Sequence, residues 1–209
     1  MKTGQDKAAH RVCTYYFAPH SPWAYLGHER FVALCRRHGV QIDLRPLDLG
    51  KVFGVSGGLP LAKRAPQRQA YRLTELARWS AFLGVPLTLQ PKFFPVSPDA
   101  AAKLIIAARL SHGLDAALAL THAIMRGLWA DDKNIADEAT LAACAHDCGL
   151  DGAQLLKSAE TASVQAEYDR NTEAGTTASV FGSPWYILDG ESFWGQDRLD
   201  FLDRAMARQ

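Results

Sequence analysis

The sequence predicts an α/β domain that is split by a large all-helical insertion. A strand–helix–strand pattern occupies residues 12–44, and a strand–turn–strand–helix pattern occupies residues 184–206. The long stretch between them has helical periodicity almost throughout and contains no repeat or low-complexity tract. We therefore expect residues 12–50 and 178–209 to form one domain, and residues 51–177 to form a helical domain inserted into it.

The first predicted unit is a βαβ motif. Residues 12–17 are rich in β-branched and aromatic side chains, which favour a strand. Ser21 and Pro22 suit the N-cap and first position of a helix, because the hydroxyl accepts from free amides and proline has no amide to leave unpaired. Gly39 is a typical helix end. Residues 40–44 alternate in polarity and predict a second strand, reached by a right-handed crossover.

The inserted segment is predicted to consist of amphipathic helices. One apolar stripe begins at Leu73 and another at Leu114, each with members repeating every three or four positions. Residues 139–149, 152–158 and 163–174 are further helical stretches. The sheet is therefore expected to come from the two ends of the chain.

The last predicted unit is a β-hairpin followed by a helix. Residues 184–188 and 191–194 predict two strands, and the Asp-Gly pair between them is a strong hairpin signal. The apolar stripe of the final helix consists of Leu199, Leu202 and Met206. The two ends of the chain thus supply β-α-β and β-β-α.

The composition excludes several classes of function. Of 209 residues, 48% are apolar and 22% charged, and the formal net charge of +1 indicates neither nucleic acid nor an acidic membrane as a partner. No window approaches the roughly 18 uninterrupted apolar residues of a membrane span, and residues 1–11 lack a secretory signal, so a cytoplasmic protein is expected. The 4 cysteines form no CxxC pair and the 7 histidines show no metal spacing, so no metal site is predicted.

Three short segments carry a resemblance to a known family. Residues 21–24 are Ser-Pro-Trp-Ala, residues 180–184 are Val-Phe-Gly-Ser-Pro, and residues 193–199 are Phe-Trp-Gly-Gln-Asp-Arg-Leu. Together with the βαβ and ββα ends, these segments make the chain resemble the thioredoxin-like fold of the DsbA family. The dithiol members of that family have a CxxC motif at the place that residues 21–24 occupy here. The Ser-Pro-aromatic version is similar to kappa-class glutathione transferases and to 2-hydroxychromene-2-carboxylate isomerases.

This resemblance implies a glutathione-dependent enzyme with defined site residues. Ser21 corresponds to the family's catalytic serine, which holds the sulfur of glutathione as a thiolate. Pro184 corresponds to a cis-proline, and Ser183 to the residue whose backbone pairs with the cysteinyl part of glutathione. Gln196 and Asp197 correspond to the pair that receives the amino and carboxylate groups of the γ-glutamyl part.

Elementary energetics support a serine in this role. A free thiol has a pKa of about 8.5, so only a few per cent of it is ionised at neutral pH. Lowering that pKa by about two units requires roughly 2.7 kcal/mol. A hydrogen bond to the charged sulfur supplies about 1.5–3 kcal/mol, and a helix N-terminus adds about 0.3–1 kcal/mol. Together, the hydroxyl of Ser21 and the helix that it begins can therefore supply the free energy required to lower the pKa of the thiol.

The sequence departs from the family where the substrate is expected to bind. Relatives have a lysine and then a Gly-Asn pair in the loop after the second strand, whereas residues 53–60 here are Phe-Gly-Val-Ser-Gly-Gly-Leu-Pro. Arg68, close in sequence to Tyr71, is the best-placed substitute for the missing cation and is assigned to substrate binding. The other candidates are Lys51, Lys63 and Arg64.

Aromatic side chains complete the predicted site. Trp23, Phe53 and Trp129 are candidates for the lining of an aromatic pocket, and Trp23 and Phe53 are assigned to substrate binding. Trp79 and Trp185 are assigned to the apolar core, where aromatic residues in apolar stripes usually lie.

Three functions are open at this stage. The favoured one is a glutathione-dependent isomerase similar to the 2-hydroxychromene-2-carboxylate isomerases, in which the thiolate held by Ser21 adds reversibly to an aromatic carboxylate. The alternatives are a kappa-like glutathione transferase or peroxidase, and a non-catalytic DsbA-family protein that binds extended peptide at Pro184. A dithiol oxidoreductase is nearly excluded, because neither Ser21 nor Ala24 can form a disulfide. The expected partner is a small aromatic molecule, and the relatives suggest a homodimer.

Overall fold

The computed structural model describes residues 11–208, and residues 1–10 with Gln209 lie outside the described residues. Most of the polar stretch 1–11, and the last residue of the domain predicted for residues 12–50 and 178–209, are therefore not described. The described chain contains a four-stranded sheet in the order β2-β1-β3-β4. The strands are β1 (Val12–Phe17), β2 (Gln41–Pro46), β3 (Trp185–Leu188) and β4 (Glu191–Trp194). Strands β1 and β2 are parallel, and β3 is antiparallel to both β1 and β4.

The helices lie between and after these strands in chain order. They are α1 (Pro22–His38), α2 (Leu49–Ser56), α3 (Pro66–Leu83), α4 (Asp99–His112), α5 (Leu114–Trp129), α6 (Glu138–Asp147), α7 (Gly152–Ala159), α8 (Ala162–Thr177) and α9 (Leu199–Met206). Short 3-10 turns cover Leu61–Lys63 and Gln196–Arg198. The predicted arrangement, an α/β frame with a helical insertion, is confirmed.

Local sequence signals explain the elements that form the frame. Helix α1 begins after Ser21 and ends at Gly39, which has a left-handed φ of 65°. Strand β2 ends at Pro46, two residues later than predicted, because its pairing with β1 continues to the last residue of that strand. In the hairpin, Asp189 and Gly190 have φ of 50° and 82°, the left-handed values that a tight two-residue turn requires.

Strand β1 is buried on both faces of the sheet. Tyr15 and Phe17 point into the larger apolar cluster, which also contains residues of α4 and α5. Tyr16 points the other way, into a smaller cluster that includes Val52 and Trp185. The larger cluster runs without interruption from the frame into the insertion, and the division into two domains stays a prediction.

Within residues 11–208, no helix combines the length and the apolar character required to cross a membrane.

Candidate active site

A cavity of about 1230 Å³ opens beside the start of α1. Its wall is formed by residues of α1, α2, α3, α9 and β4, by residues 60–64 and 89–96, and by the segments before β3 and after β4. The polar, charged and aromatic residues that line it include His20, Ser21, Trp23, Phe53, Arg64, Arg72, Trp79, Phe94, Ser183, Gln196 and Asp197. Most of the residues predicted from the sequence are therefore brought to one place.

Ser21 lies at the N-cap of α1 and is only 6% exposed. Its Oγ accepts a hydrogen bond from the N–H of Ala24 at 3.2 Å and donates one to the carbonyl oxygen of Ser183 at 3.1 Å. The aligned peptide dipoles of α1 make this end of the helix favourable for negative charge. An anion beside Ser21 would therefore meet both a hydroxyl donor and the positive end of a helix.

The segment before β3 is tied to the start of α1. The Ser183–Pro184 peptide bond is cis, as the resemblance implied. The Oγ of Ser183 accepts from the N–H of Ala18 at 2.9 Å, and the buried Pro184 accepts at its carbonyl from the N–H of Gly195 at 3.0 Å. These contacts hold the backbone of Ser183 next to Ser21 and connect it to the turn that follows β4.

Gln196, in that turn, is 1% exposed. One of the two polar atoms of its side-chain amide is hydrogen-bonded and the other is not. The Arg30 guanidinium donates to Oε1 of Gln196 at 2.8 Å and lies 3.8 Å from a carboxylate oxygen of Asp200. Arginine offers only donors, so the amide atom that faces it is the oxygen. The buried Nε2 has no hydrogen-bond partner among residues 11–208. Because an unpaired buried donor costs about 1–3 kcal/mol, Nε2 is suited to a ligand oxygen.

Asp197 lies on the open side of the same turn. Its side chain is 41% exposed and accepts a hydrogen bond from Arg198 at 2.9 Å. Gly195 has a φ of 101°, and a Cβ on it would lie 2.3 Å from Oδ1 of Asp197. The positive φ therefore favours glycine here, whereas the exposed Asp197 side chain could move away from an added Cβ. The turn directs Gln196 inward and leaves Asp197 at the rim.

His20 lies next to Ser21 and also lines the cavity. Burial lowers its pKa to about 4, with Asp99 and Asp48 acting in the opposite direction. The imidazole is therefore neutral at pH 7. Its buried Nδ1 has no hydrogen-bond partner in the described chain, and its ring stacks with Phe94 at a centroid distance of 6.4 Å.

Of the three residues predicted to bind the substrate, Trp23 and Phe53 line the cavity and Arg68 does not. Arg68 is exposed in the first turn of α3 and is not part of the cavity wall within residues 11–208. Arg72, one turn further along the helix, lines the cavity and is 9% exposed. The first turn of α3 extends beyond the cavity, whereas the second packs against Phe94. The structure therefore places Arg72, not Arg68, on the wall of the cavity, and the role of Arg68 in substrate binding stays a prediction.

Two aromatic assignments are corrected. Trp79, which was assigned to the core, lines the cavity, and Trp129, a candidate for the lining, is completely buried. Trp129 lies behind the wall, with its ring 4.9 Å from that of Phe94. Of the other predicted cations, Lys51 pairs with Asp169 at 3.2 Å, and Lys63 is exposed outside the wall formed by the described residues. In the same part of the chain, no three His, Cys, Asp or Glu side chains are grouped as metal ligands.

The signal for Arg72 was present in the sequence. It stands four positions before Leu76, which places it on the buried stripe of α3 rather than on a solvated face. An arginine on an apolar stripe indicates either a buried ion pair or a ligand site.

Comparison with known proteins identifies the family. A family model described as a DSBA-like thioredoxin domain matches residues 13–207. A 2-hydroxychromene-2-carboxylate isomerase from Sphingobium xenophagum is 32% identical over 194 residues, which cover 92% of this chain and 96% of the relative. Glutathione S-transferase kappa 1 from Caenorhabditis elegans is 26% identical over 199 residues, covering 90% of this chain and 87% of the relative.

A solved structure supports the same assignment. The structure of a 2-hydroxychromene-2-carboxylate isomerase superposes with a TM-score of 0.80 at 26% identity, over 94% of this chain and 95% of the other. The predicted thioredoxin-like fold is confirmed, as is the expectation that the chain belongs to a family of enzymes. The chain belongs to the family of DSBA-like thioredoxin domain proteins, and within it to the group that contains the 2-hydroxychromene-2-carboxylate isomerases.

Proposed function

We propose that the chain is a glutathione-dependent isomerase that acts on a small aromatic carboxylate. The observation that carries this proposal is the place of Ser21, whose buried hydroxyl lies at the N-terminus of α1 and on the wall of a cavity of about 1230 Å³. The relatives named 2-hydroxychromene-2-carboxylate isomerase support the reaction class.

The residues around Ser21 fit glutathione. The unpaired Nε2 of Gln196 offers a buried donor to a carboxylate of the γ-glutamyl part. Asp197, at the rim, offers a carboxylate to its ammonium group, and Ser183 offers its backbone to the cysteinyl part. In this assignment, the turn with Gln196 and Asp197 and the segment with Ser183 hold the tripeptide, and Ser21 faces its sulfur.

The chain's own part in the reaction is to keep that sulfur charged. When bound, glutathione supplies a thiolate that adds to an electrophilic carbon and leaves again unchanged. The Ser21 hydroxyl turns from the carbonyl of Ser183 to the sulfur and donates to it. His20 is neutral at pH 7 because burial lowers its pKa to about 4, so it contributes no positive charge. The Ser21 hydroxyl and the N-terminal end of α1 therefore stabilise the thiolate.

To test the proposal, the isomerisation of 2-hydroxychromene-2-carboxylate is measured by absorbance, with and without glutathione. We expect turnover to require glutathione, and Ser21→Ala to lower kcat/KM about 100-fold, the effect of losing a strong hydrogen bond to a charged group. The matched control is Asp151→Ala, which removes another N-cap, that of α7, whose Oδ1 accepts from Gln154 N–H at 3.0 Å. Turnover that is indifferent both to glutathione and to Ser21→Ala would contradict the proposal.

The aromatic wall of the cavity favours a second candidate, a kappa-like glutathione transferase. Trp23, Trp79 and Phe94 line a space with room for varied apolar electrophiles, and a relative is named glutathione S-transferase kappa 1. Conjugation of 1-chloro-2,4-dinitrobenzene that is faster than isomerisation of the chromene carboxylate would favour the transferase. Failure to bind glutathione in calorimetry would instead favour peptide binding at Pro184.

A further inference from the structure

The charges on the wall of the cavity do not balance. Each acidic residue that lines it in the described chain already has an arginine partner, the pairs being Glu75–Arg78, Glu191–Arg208 and Asp197–Arg198. Two lining arginines, Arg64 and Arg72, have no carboxylate within 4.0 Å among residues 11–208. The cavity therefore has two cations that the described protein does not neutralise.

Of these two cations, Arg72 is the one that the protein encloses. It is 9% exposed, and its guanidinium carbon lies 5.2 Å from the ring centroid of Phe94 and 5.7 Å from that of Trp129. Burial, with repulsion from Arg64, lowers the pKa of Arg72 to about 10, so it is still charged at neutral pH. A buried charge without a counter-ion is costly, and such a group is usually compensated by a partner.

We propose that Arg72 binds the carboxylate of the substrate at the side of the cavity formed by the insertion. The planar guanidinium matches a carboxylate in a two-point contact, and the ring of Phe94 beneath it holds that plane in place. That the acidic ligand is the substrate rests on the proposed function. The existence of a carboxylate site rests only on the wall of the cavity.

The position of Arg72 relative to Ser21 fits this role. Phe94 contacts Arg72 and also stacks with His20, the neighbour of Ser21. An aromatic acid bound by Arg72 would therefore extend along Phe94 toward the corner where Ser21 lies. Arg72, Phe94 and Ser21 all line the same cavity, so one ligand could contact all three.

The first experiment needs no variant. Calorimetry without glutathione compares 2-naphthoate with methyl 2-naphthoate as ligands of the wild-type protein. We expect the acid to bind about tenfold more tightly or better, because only the acid forms a charge-assisted contact. Equal affinities for acid and ester would overturn the proposal, whatever the variants do.

The second experiment locates the site. In Arg72→Gln the preference for the acid should disappear, and Arg72→Lys should recover only part of it. The control is Arg36→Gln, which removes the same charge from an exposed pair with Asp115 outside the cavity wall, and should keep the full preference. A preference for the acid that survives intact in Arg72→Gln would overturn the assignment.

The third experiment separates the substrate from glutathione, which also has carboxylates. The affinity for glutathione should be the same in the wild-type protein and in Arg72→Gln. A weakened affinity for glutathione with unchanged binding of 2-naphthoate would overturn the proposal. If the acid preference depends on Arg72 but turnover survives both Ser21→Ala and the omission of glutathione, the proposed function fails and the carboxylate site stands.

Discussion

The hydroxyl of Ser21 donates to the carbonyl oxygen of Ser183 across 3.1 Å, although the two residues are 162 positions apart in the chain. The Ser21 oxygen also accepts from Ala24 N–H, so the hydroxyl caps the helix and joins it to the segment before β3. A ligand sulfur at this corner has to compete with the carbonyl of Ser183 for one proton. The capping role and the proposed catalytic role can therefore be separated by experiment.

Ser21→Ala should raise the pKa of bound glutathione toward the value of a free thiol, about 8.5. The variant should also lose about 1 kcal/mol of unfolding free energy, because the cap is gone. Asp151→Ala should lose a similar amount of stability without any change in the thiol pKa. The ultraviolet absorbance of the thiolate, titrated against pH, measures the first quantity, and urea unfolding measures the second. A thiol pKa that is the same in both variants would argue against a role for Ser21 beyond capping.

Arg30→Met should weaken glutathione binding about tenfold, because the amide of Gln196 would lose the contact that fixes its orientation. Arg30 acts through Gln196, so the cysteinylglycine dipeptide, which lacks the γ-glutamyl part, should bind wild type and variant equally. Arg36→Gln, on the same helix, is the control. Calorimetry with both ligands measures the effect. An equal loss for the dipeptide would mean that Arg30 only maintains the fold.

Gly27→Ala should reduce both stability and glutathione affinity. A Cβ at this position would lie 2.7 Å from Cβ of Gln196 and 3.1 Å from the hydroxyl of Tyr186, so the turn that contains Gln196 has to move. Gly54→Ala is the matched control, because it is also helical and nothing lies within 4 Å of its added Cβ. That change should raise stability by about 0.5–1 kcal/mol. Thermal unfolding and glutathione titration of both variants test this contrast.

Stability should fall as the pH is lowered from neutral to about 4, in part because of His28. Burial lowers the pKa of His28 to about 4 from 6.5, and repulsion from His122 acts in the same direction. The unfolded chain therefore takes up a proton first, and the contribution of His28, complete above pH 6.5, is lost down to about pH 4. The full effect is on the order of 3 kcal/mol. In urea unfolding, His28→Gln should show a shallower pH dependence; an equally steep one would contradict this account.

The parts of the fold that were predicted correctly are those set by local chemistry. Ser21, Pro22 and Gly39 define the bounds of α1 because capping and left-handed backbone are properties of single residues. The Asp-Gly pair defines the β3–β4 hairpin for the same reason. Only the family resemblance predicted that Ser183 and Gln196 lie near Ser21, because no local sequence pattern connects residues that far apart in the chain.

The substrate side was predicted less well, because it depends on how the insertion packs. Arg68 and Arg72 are one helical turn apart, and only the packing of α3 against Phe94 decides which of them reaches the cavity. Trp79 and Trp129 both belong to apolar stripes. One lies on the wall and the other behind it, a difference that periodicity does not encode.

The placement of sulfur in this protein has a consequence for its chemical durability. All 4 cysteines of the chain fall in the described part, and none of them lines the cavity. A hydrogen bond with Cys35, together with burial, raises the pKa of Cys13, which keeps that thiol protonated and unreactive. Peroxides or alkylating agents that enter the cavity therefore encounter an alcohol where dithiol relatives would present a sulfhydryl. Under the proposed function, a damaged nucleophile leaves with glutathione and is replaced by the next molecule of it, while the polypeptide remains intact.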